Sequence, residues 1–245
     1  MLDPQRLGPP PAGFSDCGAC AYLLTGSPAI CFVCAAADSP LSSAPACKWC
    51  SQGLADDGSC PNTVCNFEDR EFSQIHTVSE RAEEMWTAIC KYKYDEDRRW
   101  ADVLGRILAG YLERNRTVME GYDLITNGAL YVGPRANRLW HHLRPILEAV
   151  QRDAPGWPVV PDLIAKAGPT GQFLGRSVET RQKIAEHSLR PALSVPRPDL
   201  VAGRRILVLD DVYSEGFSMR EMARALLQAG AAEVAGIVFA RRKGG

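Results

Sequence analysis

Eight of the nine cysteines fall between residues 17 and 65, and their spacing is that of metal ligands. Cys17/Cys20, Cys31/Cys34 and Cys47/Cys50 are CxxC pairs, and Cys60/Cys65 is a wider fourth pair. A CxxC turn points two thiolates at one metal, and a tetrahedral zinc ion needs two such knuckles. Eight ligands make two closed four-cysteine sites with no open position for catalysis, so the chemistry expected of them is structural. Spacing alone leaves the pairing open between sequential (Cys17, Cys20, Cys31, Cys34 on one zinc, Cys47, Cys50, Cys60, Cys65 on the other) and crossed, first knuckle with third. A segment this poor in long apolar runs buries little core; metal binding in such modules supplies roughly 10–16 kcal/mol of folding free energy. Trp49 and Phe32, each inside a knuckle, read as packing residues, and basic residues are few (Lys48, then Arg70). The ninth cysteine, Cys90, falls on the apolar face of a helical pattern and reads as a small core residue.

A second constellation lies in ILVLDDVYSEGFSMREM, residues 206–222. Ile206, Leu207, Val208 and Leu209 form a continuous apolar run, as in a central parallel strand buried on both faces. The run ends in Asp210 and Asp211, and the chain then passes through Ser214, Glu215, Gly216, Phe217 and Ser218 into a helical pattern. Ser218 and Glu221 are spaced as a capping box. Met219, Met222, Ala223, Leu226 and Leu227 define a buried face, and Gly230 suits the C-terminal cap. A loop from a strand end to a helix N-terminus offers free backbone N–H groups and the positive end of the helix dipole to an anion. Gly216 lets the backbone approach a phosphate closely. Carboxylates, hydroxyls and an anion-binding turn are together the equipment for holding a sugar phosphate. Glu215 is the discordant residue: a carboxylate about 5 Å from a phosphate costs about 3 kcal/mol per unit charge at an effective dielectric near 20. Phosphate binding therefore requires its side chain to point out of the loop.

Strands and helices must position these groups. Residues 119–245 alternate apolar runs (121–126, 157–164, 204–211, 233–240) with helical patterns, which implies a parallel sheet covered by helices. In such sheets ligands bind beyond the carboxyl ends of the strands. Pro145 is expected to kink or split the helical pattern over 137–151. Residues 67–118 read as a helical connecting region, with Met85, Trp86 and Ile89, then Trp100, Leu104, Ile107, Leu108 and Leu112, at helical spacing. Residues 17–66 form the zinc module, and the Pro/Gly-rich residues 1–16 read as a flexible tail. With 28 basic and 29 acidic residues in 245, composition makes no case for a nucleic-acid or membrane protein. The N-terminus has no apolar leader, and no window approaches the ~18 apolar residues that span a bilayer. A cytoplasmic protein without membrane insertion is expected, and metal ligation is favoured over disulfides.

Strand, acidic pair, loop with glycine and hydroxyls, then helix: in this order the chain resembles the type I phosphoribosyltransferases, and among them the ComF family. The likeness is carried further by the cysteine module, by Lys93-Tyr94 as a Lys-Tyr stretch opening a helix, by Gln172 and Arg181 ahead of the loop, and by Phe239-Ala240-Arg241. The resemblance implies a Rossmann-like, parallel-sheet phosphoribosyltransferase domain preceded by the zinc module. It implies phosphoribosyl pyrophosphate as substrate, with Asp210 and Asp211 on the ribose hydroxyls directly or through Mg²⁺. Ser214, Glu215, Gly216, Phe217 and Ser218 make up the 5′-phosphate loop, and Arg181, with Lys166 and Arg176, supplies positive charge over the site. The loop after the first domain strand keeps Asn127-Gly128-Ala129, with Arg135 and Arg138 as candidates for the pyrophosphate contacts the family makes there. The ComF likeness also implies a link to DNA uptake or processing. The acceptor and the oligomeric state stay open. Glu215 favours a second reading: a non-catalytic phosphoribosyl sensor or scaffold whose zinc module docks a partner protein or single-stranded DNA.

Overall fold

The computed structural model describes residues 45–78, 82–136, 140–173 and 175–241. Cys17, Cys20, Cys31, Cys34, Arg138 and the expected tail lie outside the described residues. Along the chain run β1 (Ile75–Thr77), α1 (Ala82–Lys93), α2 (Trp100–Arg114), β2 (Leu124–Asn127), α3 (Arg144–Asp153), β3 (Ala165–Lys166), α4 (Val178–Ile184), β4 (Leu193–Ser194), β5 (Arg205–Tyr213), α5 (Phe217–Gln228) and β6 (Glu233–Arg241). β1, β6, β5 and β2 form one parallel sheet in that order, and β3 pairs antiparallel with β4 apart from it. No helix among the described residues is long and apolar enough to cross a membrane.

The apolar run of β5 is the centre of the sheet, and its period of two divides the core. Leu207 and Leu209 pack with Ile237 of β6 against α1, α2 and α3. Ile206 and Val208 pack on the other face with α5 and the cysteine segment. α2 meets α3 closely because position 105 is glycine: a Cβ there would lie 2.5 Å from Ala149 Cβ.

Three local expectations are corrected. Pro145 neither kinks nor splits a helix; it lies in the first turn of α3, where its fixed φ is pre-formed and its missing N–H has no partner to lose. Lys93 closes α1 instead of opening a helix. The apolar run at 157–164 gives only one isolated bridge, Val159 beside Ile125, since Pro158 and Pro161 cannot donate to a ladder. Conversely, β1 comes from the stretch read as helical. Three residues, all buried, are too few to show an alternation.

β1 carries His76, which is buried with Nε2 2.8 Å from the Tyr122 hydroxyl. Burial lowers its pKa to about 4, against a smaller opposing pull from Glu233. Between that value and the ordinary 6.5, the unfolded chain binds a proton that the folded chain refuses. Stability is therefore full above the ordinary value and falls as pH drops through the window, by about 3 kcal/mol in all. A His76→Gln variant should show a flatter urea midpoint across that window than the wild type.

Candidate functional site

β2 and β5 end on the same side of the sheet, and their carboxyl ends open into a cleft of about 750 Å³. β5 brings Asp210 and Asp211, and the turn after it brings Ser214, Glu215, Gly216, Phe217 and Ser218. Gly128 and Ala129 follow β2 on the opposite lip, and Lys166, Gln172, Arg176 and Arg181 line the same space. The described residues expected at the site reach one cleft except Arg135, which is exposed, and Asn127, which is buried with its side chain bonded to Asp162; neither lines it. Lys166 is half-buried, and burial lowers its pKa.

Asp211 is held from the α1–α3 side. Its Oδ2 accepts from the Lys93 ammonium and lies 2.6 Å from His142 Nε2. Burial works against the charge on Asp211, but Lys93 and His142 outweigh it and hold the carboxyl well below the usual carboxylate range. Asp210 Oδ1 accepts from the Asp211 backbone N–H at 2.8 Å, which fixes the two carboxyl groups relative to each other. His142 had no role in the sequence reading. Sixty-nine positions separate it from Asp211, and no local pattern marks it.

The loop reaches α5 through Gly216, whose φ of +94° is the left-handed region that favours glycine. A Cβ there would lie 2.5 Å from the Tyr213 hydroxyl oxygen and 3.0 Å from Val64 Cβ. Gly216→Ala should therefore cost about 1–2 kcal/mol in backbone conformation before any clash is counted. A thermal melt should show a fall of several degrees. Gly216 itself stands at the N-cap, and no side chain caps α5. The expected capping box is thus not formed. Glu221 instead accepts two bonds from Arg190, at 2.7 and 3.0 Å. The C-terminal cap is as expected: Gly230 has φ +99°, and Ala231 N donates to Leu226 O at 3.0 Å.

Glu215 is buried, and its carboxylate turns toward the cysteine segment. Oε2 accepts from Thr63 Oγ1 at 2.8 Å and from Thr63 N at 3.2 Å. Its carbonyl accepts from Val64 N at 3.1 Å. Oε1 lies 3.8 Å from Arg181 Nη1. Next along the loop, Tyr213 Oη lies 3.3 Å from Cys65 Sγ. The turn after β5 is therefore seated on the residues between Cys60 and Cys65. Thr63 and Glu215 are 152 positions apart, so nothing in the sequence announces the pair.

Cys47, Cys50, Cys60 and Cys65 are all buried, with their Sγ atoms within 4.8 Å of one another. Tetrahedral zinc with bonds of about 2.3 Å needs sulfur atoms about 3.8 Å apart, and Cys50 and Cys60 are separated by 3.6 Å. Asn62 Nδ2 donates to Cys50 Sγ at 3.2 Å, and the Asn62 and Trp49 amides donate to Cys60 and Cys47, each at 3.4 Å. Such donors stabilise thiolates and orient them, the outer-shell arrangement of metal sites. A bond from Cys65 pulls the Cys50 thiol down to about 5, whereas burial pushes Cys60 up to about 12. The donor set fits one zinc ion, in the sequential grouping.

Fold and site define a class: a parallel-sheet α/β domain with a four-cysteine cluster ahead of it. Residues 154–245 match the phosphoribosyl transferase domain family. The amidophosphoribosyltransferase of Synechocystis sp. is 39% identical over 64 residues, which are 26% of this chain and 13% of that protein's length. Two solved structures are similar over part of the chain. The glutamine phosphoribosylpyrophosphate amidotransferase from B. subtilis, complexed with ADP and GMP, has a TM-score of 0.34 at 22% identity, over 56% of this chain and 25% of its own. An allosteric regulatory enzyme of purine biosynthesis has a TM-score of 0.29 at 20% identity, over 48% and 22%.

Proposed function

We propose that the protein binds phosphoribosyl pyrophosphate in the cleft and transfers its phosphoribosyl group to an acceptor. One observation carries this reading: a central strand delivers two carboxylates and then a glycine turn into the N-terminus of a 12-residue helix, all facing one cleft. The backbone amides of Ser214, Gly216, Phe217 and Ser218, at the turn into α5, suit the 5′-phosphate. Ser214 and Ser218 add hydroxyls, and the Asp210 carboxylate accepts from a ribose hydroxyl. Lys166 and Arg176 stand on the lip where pyrophosphate would leave, and Arg181 shares its charge with Glu215. The C1′–oxygen bond to pyrophosphate breaks, an acceptor lone pair forms the new bond at C1′, and the acceptor loses a proton. The chain's part is to position the reactants and to stabilise the charge on departing pyrophosphate. Mg²⁺, a hard cation suited to phosphate oxygens, would neutralise part of that charge.

Seating of the Glu215 carboxylate on Thr63 supports this reading, because it turns the side chain toward the cysteine segment. The test is calorimetric titration with phosphoribosyl pyrophosphate and Mg²⁺. Saturable binding at one site is expected, and no detectable heat would sink the proposal. The Arg181–Glu215 pair favours a second reading, since it draws one cation away from pyrophosphate. In that reading the domain senses its ligand without turnover, and the zinc module docks a protein or single-stranded DNA in DNA uptake or processing. Binding without pyrophosphate release against any acceptor or water selects it. A steep salt dependence of single-stranded DNA binding identifies the DNA partner.

A further inference from the structure

We infer that Lys93 is a built-in counter-cation for Asp211, standing where a divalent cation would sit at that carboxylate, so that Asp211 itself offers no divalent-cation site. The contact is built from the core outward. Met85, Ile89 and Tyr92 bury α1, and Lys93 is its last residue. The Tyr92 hydroxyl donates to the His142 carbonyl at 2.5 Å, and its ring meets Trp140 edge-on at 4.8 Å. One aromatic cluster thus fixes both groups that reach Asp211 Oδ2. The Lys93 and Asp211 side chains are only 9% and 14% exposed, so this is an enclosed pair and not a loose surface contact. Leu207, Leu209 and Asp211 follow one another at a strand's period of two, which turns the carboxylate toward α1. A Mg²⁺ or Mn²⁺ ion needs several oxygen ligands close to octahedral geometry. At Asp211 it would meet an ammonium and an imidazole on the same oxygen. Asp211 is therefore committed to Lys93 and His142 and is not available as a ligand to a divalent cation.

The meaning of this pair for catalysis rests on the phosphoribosyl reading, but the pair itself does not. The experiment therefore uses Mn²⁺ alone, with no phosphorylated ligand, on the zinc-loaded full chain, followed by electron paramagnetic resonance. Wild type and Asp211→Asn should titrate alike. Lys93→Met should gain a Mn²⁺ site at least about tenfold tighter than any in the wild type, since one repelling charge at contact distance is gone. Lys93→Met/Asp211→Asn should lose that site again. A Mn²⁺ site in the wild type that Asp211→Asn abolishes overturns the inference, and so does a folded Lys93→Met protein that gains none. If Lys93→Met does not fold, the comparison of wild type with Asp211→Asn decides alone. Failure of phosphoribosyl pyrophosphate to bind would sink the functional proposal and leave these titrations unchanged.

Discussion

Asp210→Asn should weaken binding of phosphoribosyl pyrophosphate by about thirtyfold while leaving the melting temperature nearly unchanged; Asp211→Asn should lower both. The two residues are adjacent and chemically identical, yet their surroundings differ. A hydrogen bond to a charged group is worth about 1.5–3 kcal/mol, and about 2 kcal/mol corresponds to roughly thirtyfold in affinity. Asp210 lines the cleft, and its Oδ1 accepts from the Asp211 backbone amide, a bond that an asparagine oxygen can still serve. Asp211 neutralises Lys93 in an enclosed site. Removing one partner of such a pair costs about 3–5 kcal/mol, because the other charge stays behind. At about 2–4 °C per kcal/mol for a chain of this size, the melting temperature should fall by roughly 10 °C. Calorimetric titration and a thermal melt on the same samples separate the two effects. Equal behaviour of the two variants would show that the acidic pair acts as one unit.

Stripping the zinc ion proposed for the four-cysteine cluster should loosen the turn after β5 as well as the cluster itself. Chelation, or Cys50→Ser, leaves buried thiols without the cation that holds them together, and the loss of binding energy in small zinc modules is roughly 10–16 kcal/mol. The consequence should spread along named contacts. Thr63 would no longer hold the Glu215 carboxylate, and Tyr213 would lose its neighbour Cys65. Trp49 O accepts from Ile75 N at 2.6 Å, and Cys50 O accepts from Arg241 Nη1 at 3.2 Å, so the edge of the sheet should loosen too. Hydrogen exchange should rise by about an order of magnitude or more at the amides of 213–218, while Ile206–Leu209, whose partners lie on both sides in the sheet, stay protected. Affinity for phosphoribosyl pyrophosphate should fall together with zinc content measured by a chromophoric indicator. An unchanged loop in the metal-free protein would mean that the seat on Thr63 forms without the metal.

Much of this molecule was legible in its residues. The run Ile206–Leu209 could be little other than a strand buried on both faces, and all four side chains are fully enclosed. Trp100 to Leu112 repeats at helical spacing, and that whole stripe is buried in α2. Cys47, Cys50, Cys60 and Cys65 were readable by spacing as one four-cysteine cluster, because a knuckle is a local turn whose geometry a few residues specify. Gly216 was read as a point of close backbone approach, and its left-handed φ of +94° was added by the structure.

Relations between distant residues were not legible. The capping box was a correct local pattern overridden by a partner from elsewhere: Glu221 answers Arg190 in space instead of Ser218 in sequence. β1 has too few residues to carry a periodicity, and it exists because β6 offers an edge with matching hydrogen-bonding groups. Which way Glu215 points was likewise undecidable from the chain. Its neighbours in sequence leave the direction of the carboxylate open, whereas packing of the Cys60–Cys65 segment supplies the donors that orient it. The sequence by itself determined the strand, the turn, the helix and the ligand types, for these follow from periodicity and from local backbone preference. Only the tertiary structure decided which carboxylate is paired with Lys93 and what Glu215 is for, because those depend on electrostatic and hydrogen-bonding partners that folding brings together from more than a hundred positions away.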